Sequence, residues 1–539
     1  MNDSIQHPLK SPVEQPIRQP IASPRGRARA RAVALLAVLA AAAAPAAFAA
    51  DDSLAGLIQS GKRDAALDII RAGGDVDDAQ GDGTTPLHWA VYRIDPELVR
   101  LLLERGADPN VTNLYGSSPL AEAVKIADAG MVELLLEAGA DVESPNADGQ
   151  TALMLAARTG SVRVAEALVR RGADVNAREA WRGQTALMWA ADSSHPEMTQ
   201  FLIGHGADVN ARAFANEWAT QITSEPRGQY RPTGGLTPLI YAARSGCFDC
   251  VKAIVEAGAD VNRPNPDGVT PLIVAIENYA FDSAKYLLEH GASPHTWDWW
   301  GRTPLYSAVD INSFTPRRRN LPRPDEGEVT AMDIVRMLLD AGVNPNPQLN
   351  MHRPHRGGNI SRFVDDLLTT GATPLLRAAV GHDTEAIRAL LDHGALVDLP
   401  NVMGVTPLMA AAGMGISGRD RRVNLGGDVE SRAIETIAVL LEAGADIDAR
   451  VTDIESRTAR IARPSTMTER GGQTALYGAV KFGWARVVEY LIERGADVDV
   501  VDALGNSPLD AALGRTGGRD NTVSDEVAEI LRAASGRGA

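Results

Sequence analysis

Cys247 and Cys250 are the two residues of this chain whose type and spacing come closest to a chemical motif. Their Cys-x-x-Cys spacing lies at the predicted start of a helix, where a thiolate is stabilised. The surrounding sequence lacks the strand–helix–strand pattern of a disulfide oxidoreductase, the adjacent histidine of a haem attachment site and a second such pair for zinc. We therefore predict a disulfide or a pair of core thiols, and redox or metal chemistry stays open as an alternative.

Other candidate ligands are sparse. His352 and His355 offer two metal ligands without a third at metal-site spacing. Asp75, Asp77 and Asp82 resemble part of a calcium loop that lacks its closing glutamate. The sequence contains no His-Glu-x-x-His motif, P-loop, Gly-x-Ser-x-Gly elbow or dinucleotide fingerprint. We therefore predict no catalytic residue, no metal site and no cofactor, and we expect a protein that is not an enzyme.

The elements that would position these residues are short helices in pairs, and residues 237–269 show one pair clearly. Thr237 is a good N-cap, and Pro238 follows where a missing N–H costs nothing. Apolar residues then recur at helical spacing in two short runs. Gly258 stops the second run, and turn residues follow it. Helices this short need neighbours to bury their apolar faces, so the unit must stack on similar units.

The same unit recurs along nearly the whole chain, most often at intervals of 33 residues. The 33-residue period and the Thr-Pro-Leu-His-x-Ala word at residues 85–90 resemble the ankyrin repeat. This resemblance covers about residues 53–536 and implies an all-α solenoid that binds a partner protein on its concave face and hairpin tips. The unit starts are Thr85, Ser118, Thr151, Thr185, Thr237, Thr270, Thr303, Thr373, Thr406, Thr474 and Ser507.

The spacing predicts about twelve helix-turn-helix units with long loop insertions. Residues 50–84 are expected to form an N-terminal capping repeat, residues 85–506 the repeats, and residues 507–539 a C-terminal capping repeat. Irregular gaps between unit starts indicate insertions, because a repeat core cannot absorb extra residues. The predicted insertions lie near residues 213–236, 313–330, 347–372, 414–431 and 450–470.

Residues 1–49 are predicted to be a signal peptide. Four arginines from Arg25 to Arg31 precede an apolar run, and Ala47-Phe48-Ala49 fits the small-residue cleavage pattern. We therefore expect a periplasmic or secreted protein, with a membrane association only if this segment is an uncleaved anchor. Removing the segment takes six basic and two acidic residues, so the net charge becomes 47 − 67 = −20. Such an acidic protein is a poor candidate for nucleic-acid binding.

Aromatic and arginine residues close to the unit starts are the candidate protein-binding residues. Five of them lie three or four residues before a unit start, an offset that corresponds to hairpin tips in ankyrin repeats, where we expect exposed side chains, and the other two lie close by. Trp, Tyr and Arg are the residue types most enriched among interface hot spots. The candidates are Tyr115, Trp181, Arg182, Trp297, Trp299, Trp300 and Arg302.

These features together predict a monomeric, non-enzymatic scaffold of the periplasm that holds a partner protein of unknown identity. Aromatic tips would anchor this partner, and Arg-rich insertions such as residues 317–319 would select it. One alternative is a secreted effector that binds a host protein. A second, weaker alternative is a redox or metal-dependent enzyme that uses the two cysteines or the loop histidines.

Overall fold

The computed structural model describes residues 53–216, 233–313, 327–350, 370–414, 428–452, 471–516 and 523–536. The signal-peptide prediction, the loop histidines and residues 317–319 lie outside these ranges. Within the described residues the chain forms 24 helices in twelve consecutive pairs. The predicted all-α solenoid of about twelve units is therefore confirmed.

The helices of the first six pairs are α1 (Leu54–Gln59), α2 (Arg63–Arg71), α3 (Pro86–Tyr92), α4 (Pro96–Glu104), α5 (Pro119–Lys125), α6 (Ala129–Glu137), α7 (Ala152–Thr159), α8 (Val162–Arg170), α9 (Ala186–Asp192), α10 (Pro196–Gly204), α11 (Pro238–Ser245) and α12 (Phe248–Glu256). Those of the last six are α13 (Pro271–Glu277), α14 (Phe281–Glu289), α15 (Pro304–Asn312), α16 (Ala331–Asp340), α17 (Pro374–Gly381), α18 (Thr384–Asp392), α19 (Pro407–Ala411), α20 (Val429–Glu442), α21 (Ala475–Phe482), α22 (Ala485–Glu493), α23 (Pro508–Ala512) and α24 (Asp525–Ser535). Two short strands, β1 (Ala215–Asn216) and β2 (Thr233–Gly234), pair antiparallel.

Each first helix begins as its sequence predicts. In α11 the Thr237 hydroxyl accepts a hydrogen bond from the Ile240 N–H at 3.3 Å, and Pro238 occupies the first helical position. The helix ends at Gly246, whose φ of 76° lies in the left-handed region. This conformation lets the chain reverse at once into the second helix, because glycine has no Cβ to clash there.

The same left-handed position occurs nine residues after the cap in other units, even where the residue is not glycine. Ile94, Ala127, Ser194, Tyr279 and His382 all have φ between 53° and 63°. Their Cβ atoms make this conformation unfavourable by roughly 1–2 kcal/mol each. The requirements of stacking therefore override local preference at these turns.

The hydrophobic core consists of apolar contacts between successive units and extends along the solenoid. First helices pack against neighbouring first helices, and second helices pack against neighbouring second helices. One buried cluster runs from Leu54 to Ala207 and a second runs from Met188 to Leu531, so the two meet around α9 and α10. Among the described helices, none has both the length and the apolarity needed to cross a bilayer.

Candidate protein-binding surface

In six of the described hairpin tips between units, one Asn or Asp side chain holds the turn. The Asn113 side-chain oxygen accepts hydrogen bonds from the N–H groups of Tyr115 at 3.1 Å and Ser117 at 3.0 Å. A single Asn or Asp, five residues before the next cap, plays this role repeatedly and fixes the tip conformation. The equivalent residues are Asn146, Asn265, Asp298, Asn401 and Asp502.

One tip departs from this pattern because it contains one more residue. The interval from Thr151 to Thr185 is 34 residues, and the anchor of that tip is Glu179. Its buried carboxylate accepts from the N–H groups of Trp181 at 2.6 Å, Arg182 at 2.7 Å and Gln184 at 3.1 Å. The additional methylene of glutamate therefore spans the longer loop and still satisfies its backbone donors.

Neighbouring tips are joined into a row by backbone hydrogen bonds. Leu114 donates its N–H to the Asp82 carbonyl at 2.8 Å, and Ala180 donates to the Asp148 carbonyl at 3.0 Å. Trp299 donates to the Asp267 carbonyl at 2.8 Å. Because each of these bonds ties a tip to the one before it, the side chains on these tips hold fixed positions relative to one another.

Five of the seven candidate binding residues are exposed on this row of tips, as expected. Arg182 is exposed, and the aromatic side chains keep large exposed fractions. The exposed fractions are 76% for Tyr115, 66% for Trp297, 58% for Trp181 and 48% for Trp299. The exposure expected for these residues is confirmed, whereas their part in binding stays a prediction.

Trp300 and Arg302 were expected on the exposed surface, and this expectation is wrong. Trp300 is only 4% exposed, because its ring packs on Val269 and Ile273 of the preceding unit. Arg302 is 7% exposed and lies over the Trp300 ring, with its Cζ 4.9 Å from the ring centroid. Both residues therefore support the tip and do not form its outer surface.

Arg302 is held in place by two carboxylates. Its Nε donates to Asp298 at 2.7 Å, and Nη1 donates to Glu277 at the end of α13. Burial opposes the charge, but Glu277 and Asp298 together raise the pKa of Arg302 well above its ordinary value. The guanidinium thus stays charged and joins the tip to the first helix of the previous unit.

A second set of surface residues lies on the first helices and was missed by the sequence analysis. Trp89 and Tyr92 on α3 form an edge-to-face pair with ring centroids 5.6 Å apart. On later helices Arg158 lies over Trp189 at 5.7 Å. These residues occupy positions four and seven after each cap, and comparison of these two positions between units would have revealed them. We call the surface formed by these two positions the first-helix face.

The first-helix face and the hairpins form one continuous surface in the first half of the protein. The Trp89 indole Nε1 donates to the Gln80 side chain on the hairpin at 2.9 Å. Gln184, on a later hairpin, donates to the Tyr241 hydroxyl on α11 at 2.7 Å. Gln184 and Tyr241 are both buried, so their bond lies beneath the surface. The exposed side chains that continue from the tips onto the helices are Tyr92, Arg158 and Arg244.

The same positions are buried on α15, α17 and α19. Arg377, four residues after its cap, is only 1% exposed, and its Nε donates to Asp310 of the preceding unit at 2.6 Å. Ser307 and Asp310 are also buried. Among the described residues, the accessible part of the first-helix face is thus concentrated on α3 to α11.

The two cysteines form a disulfide in the structure. Cys247 caps the N-terminus of α12, where its sulfur accepts the Cys250 N–H, and Cys250 is fully buried in the core. Within the described part of the chain, no group of three or more His, Cys, Asp or Glu side chains is arranged to hold a metal ion. His352 and His355 lie outside this part.

Comparison with known proteins identifies the family. The model for ankyrin repeats in three copies matches residues 54–146, 125–213, 239–315 and 328–451, and the single-repeat model matches residues 471–503. The chain therefore belongs to the ankyrin repeat family. A relative, the potassium channel AKT3 of Oryza sativa subsp. japonica, is 50% identical over 56 residues. This match covers 10% of the chain and 6% of the channel.

Ankyrin repeats mediate binding to partner proteins, and the family is typically non-enzymatic. The chain therefore has the architecture of a protein-interaction scaffold. The hairpin tips and the first-helix face are its candidate binding surfaces.

Proposed function

We propose that this protein is a non-enzymatic, monomeric scaffold of the periplasm that holds one partner protein on its hairpin tips and first-helix face. One observation carries the proposal. Of the seven exposed aromatic side chains in the described chain, five lie on hairpins, namely Tyr115, Trp181, Phe214, Trp297 and Trp299. Aromatic rings grouped on one edge of an otherwise polar surface are typical of an interface.

The rigidity of the tips supports the proposed mechanism. The tip that carries Trp297 and Trp299 is fixed by its anchoring residue, Asp298, and by a backbone hydrogen bond from Trp299 to the tip before it. A surface that is ordered before binding loses little conformational entropy when a partner docks. The exposed rings of Trp297 and Trp299 can then contribute buried apolar area without a large ordering cost.

Location in the periplasm is proposed from residues 25–49, where arginines, an apolar run and an Ala-x-Ala site follow one another. The test is a fusion of residues 1–60 to a reporter that is active only outside the cytoplasm. An active reporter supports export. An inactive reporter, together with protein found solely in the cytosolic fraction, would end this part of the proposal.

The binding surface is tested by affinity capture from the periplasm followed by mass spectrometry. Wild-type protein is compared with the double variant Trp181→Ala, Trp299→Ala. The matched control is Phe248→Ala, because this exposed ring lies at the start of α12 and away from the tips. Proteins captured by wild type and control but lost with the tip variant support the scaffold. Equal capture by all three proteins would place the interface elsewhere.

A further inference from the structure

Four arginines lie side by side on three consecutive hairpins, and we propose that they form a docking site for an acidic, extended segment of a partner protein. The residues are Arg178, Arg182, Arg212 and Arg263, which we call the arginine strip. This inference rests on the proposed scaffold function and specifies the chemistry of the partner.

Contacts between the hairpins show that the strip is continuous. Arg178 donates from Nη1 to the Arg212 carbonyl at 2.6 Å, across two neighbouring hairpins. Arg212 in turn donates to the Pro264 carbonyl at 3.0 Å on the third hairpin. Arg263 reaches back to the Asn210 carbonyl at 3.3 Å. The guanidinium groups of Arg178, Arg212 and Arg263 are thus held in a row by neutral acceptors, and Arg182 is exposed on the first of these hairpins.

These hydrogen bonds position the guanidinium groups without neutralising them. In the described chain, none of the four arginines lies within ion-pair distance of a carboxylate, whereas Arg170 and Arg171 at the C-terminal end of α8 pair with Glu133 and Glu137. A guanidinium bound to carbonyl oxygens keeps its full charge and has remaining N–H donors. Carboxylates of a ligand can then accept charge-assisted hydrogen bonds from these remaining N–H groups.

The acidic groups near the strip do not neutralise its positive charge. Glu179 is buried, and its oxygens already accept three backbone N–H groups. The side chains of Asp174, Asp208 and Asp260 each accept the backbone N–H two residues later, so these carboxylates are engaged within their own turns. Residues 217–232 carry two Glu and two Arg, so they add no net charge.

Exposed aromatic rings lie among these arginines. Trp181 precedes Arg182 directly, and the Phe214 N–H donates to the Arg182 carbonyl at 2.6 Å. Phe214 is also exposed, and a Cβ on Gly183 would lie 2.6 Å from its ring, so the absence of a side chain there makes room for it. Arginine and aromatic side chains together favour a segment that mixes carboxylates with apolar residues.

The overall charge argues for a short acidic segment over a long polyanion. The full chain carries a net charge of −16, so a long nucleic acid would extend past the strip and contact the surrounding acidic surface. A local cluster of positive charge within such a chain attracts only ligands small enough to stay near it, because salt screens charges beyond about 8–10 Å.

The test measures binding of two labelled synthetic peptides to the full chain by fluorescence anisotropy. One peptide alternates Glu and Asp with Phe, and the other replaces each acid with its amide. We expect the acidic peptide to bind about tenfold more tightly or better, with an affinity that falls as salt rises. Equal affinities would overturn the inference. Tighter binding of a single-stranded RNA of similar length would also overturn it in favour of nucleic acid.

Variants locate the site. Arg178→Gln with Arg212→Gln should weaken the acidic peptide about tenfold, whereas Arg170→Gln with Arg171→Gln removes the same charge from α8 and should leave binding unchanged. Circular dichroism confirms that both variants fold. Equal losses in the two variants would mean that general charge, and not the strip, attracts the peptide. Light scattering that shows a dimer dissociated by the strip variant would assign the strip to a second copy of this chain.

The inference and the scaffold function can fail separately. If partner capture depends on Trp181 and Trp299 but not on the arginine strip, the scaffold stands and the acidic partner is wrong. If the acidic peptide binds the strip but no protein is captured through the tips, the proposed interface at the tips fails.

Discussion

The guanidinium of Arg302 lies over the ring of Trp300, with its Cζ 4.9 Å from the ring centroid, and both side chains are buried whereas the ring of Trp299 beside them in sequence is exposed. Consecutive residues of one tip therefore have opposite roles. Trp300 and Arg302 fasten the tip to the preceding unit, and Trp299 remains available to a partner.

The first prediction separates these roles by mutation. Trp300→Ala should lower the free energy of unfolding by about 3–5 kcal/mol, because it empties a packed site on Val269 and Ile273. Trp299→Ala should leave stability within about 1 kcal/mol and weaken partner binding by about thirtyfold, the effect of a typical hot spot. Urea unfolding and affinity are measured on both variants. Large destabilisation by Trp299→Ala would show that this ring also packs.

The second prediction concerns Ile94, which has a φ of 56° and an exposed side chain. Ile94→Gly should raise stability by about 0.5–1 kcal/mol, because relief of the left-handed conformation exceeds the entropy that glycine loses on folding. Thermal unfolding measures the gain as a higher Tm.

The reciprocal change provides the control for Ile94. Gly160 occupies the equivalent turn with a φ of 73°, and a Cβ there would lie 2.6 Å from the His195 ring. Gly160→Ala should therefore destabilise the protein by more than about 1 kcal/mol. If Ile94→Gly lowers the Tm instead, apolar contacts of the isoleucine outweigh the conformational cost.

The third prediction is a loss of stability in mild acid through His382. Burial, assisted by the positive charge of Arg432, lowers the pKa of His382 to about 4. The folded protein favours the neutral ring. The contribution of His382 to the free energy of unfolding is therefore complete above about pH 6.5 and is lost as the pH falls toward 4. Between pH 7.5 and 5 we expect a decrease of about 2 kcal/mol from this group. Urea unfolding at the two pH values measures it.

His382→Asn is the matched control, because asparagine tolerates the left-handed φ of 53° and does not titrate. The variant should be less sensitive to pH between 7.5 and 5 than the wild type. Part of the pH dependence should persist, since burial also lowers the pKa of His88. An unchanged pH dependence would show that His382 does not cause the loss.

The fold could be predicted because each unit repeats the residues that begin and end its helices. A threonine cap such as Thr237 and a turn glycine such as Gly258 mark the same points in unit after unit. These signals are local, so they can be interpreted without knowing how units stack. The family and the number of helix pairs followed from them.

The orientation of the tip side chains could not be predicted from the tip alone. Tyr115 and Trp300 occupy the same position, three residues before a cap, yet only Tyr115 is exposed. The difference lies in the unit that precedes each tip. The unit before Tyr115 has Thr84 and His88 at the positions where the unit before Trp300 has Val269 and Ile273. An apolar pair gives the ring a surface to bury, whereas a polar pair does not.

Two other tips agree with this explanation. Met403 is buried, and the unit before it has Ala372 and Leu376 at the corresponding positions. Leu504 is exposed, and the unit before it has Gln473 and Tyr477 there. Burial of a tip residue is therefore a property of two successive units.

The fourth prediction tests the anchor of the long tip. Glu179→Asp shortens the side chain that accepts hydrogen bonds from Trp181, Arg182 and Gln184, so buried N–H groups should lose their acceptor. The expected cost is about 1–3 kcal/mol. Deletion of Ala180 together with Glu179→Asn recreates the shorter tip that Asn146 anchors, and it should recover most of this stability. Urea unfolding compares the two variants. If the variant with the deletion is no more stable than the Glu179→Asp variant, then the longer side chain of glutamate does not compensate for the extra residue of this tip.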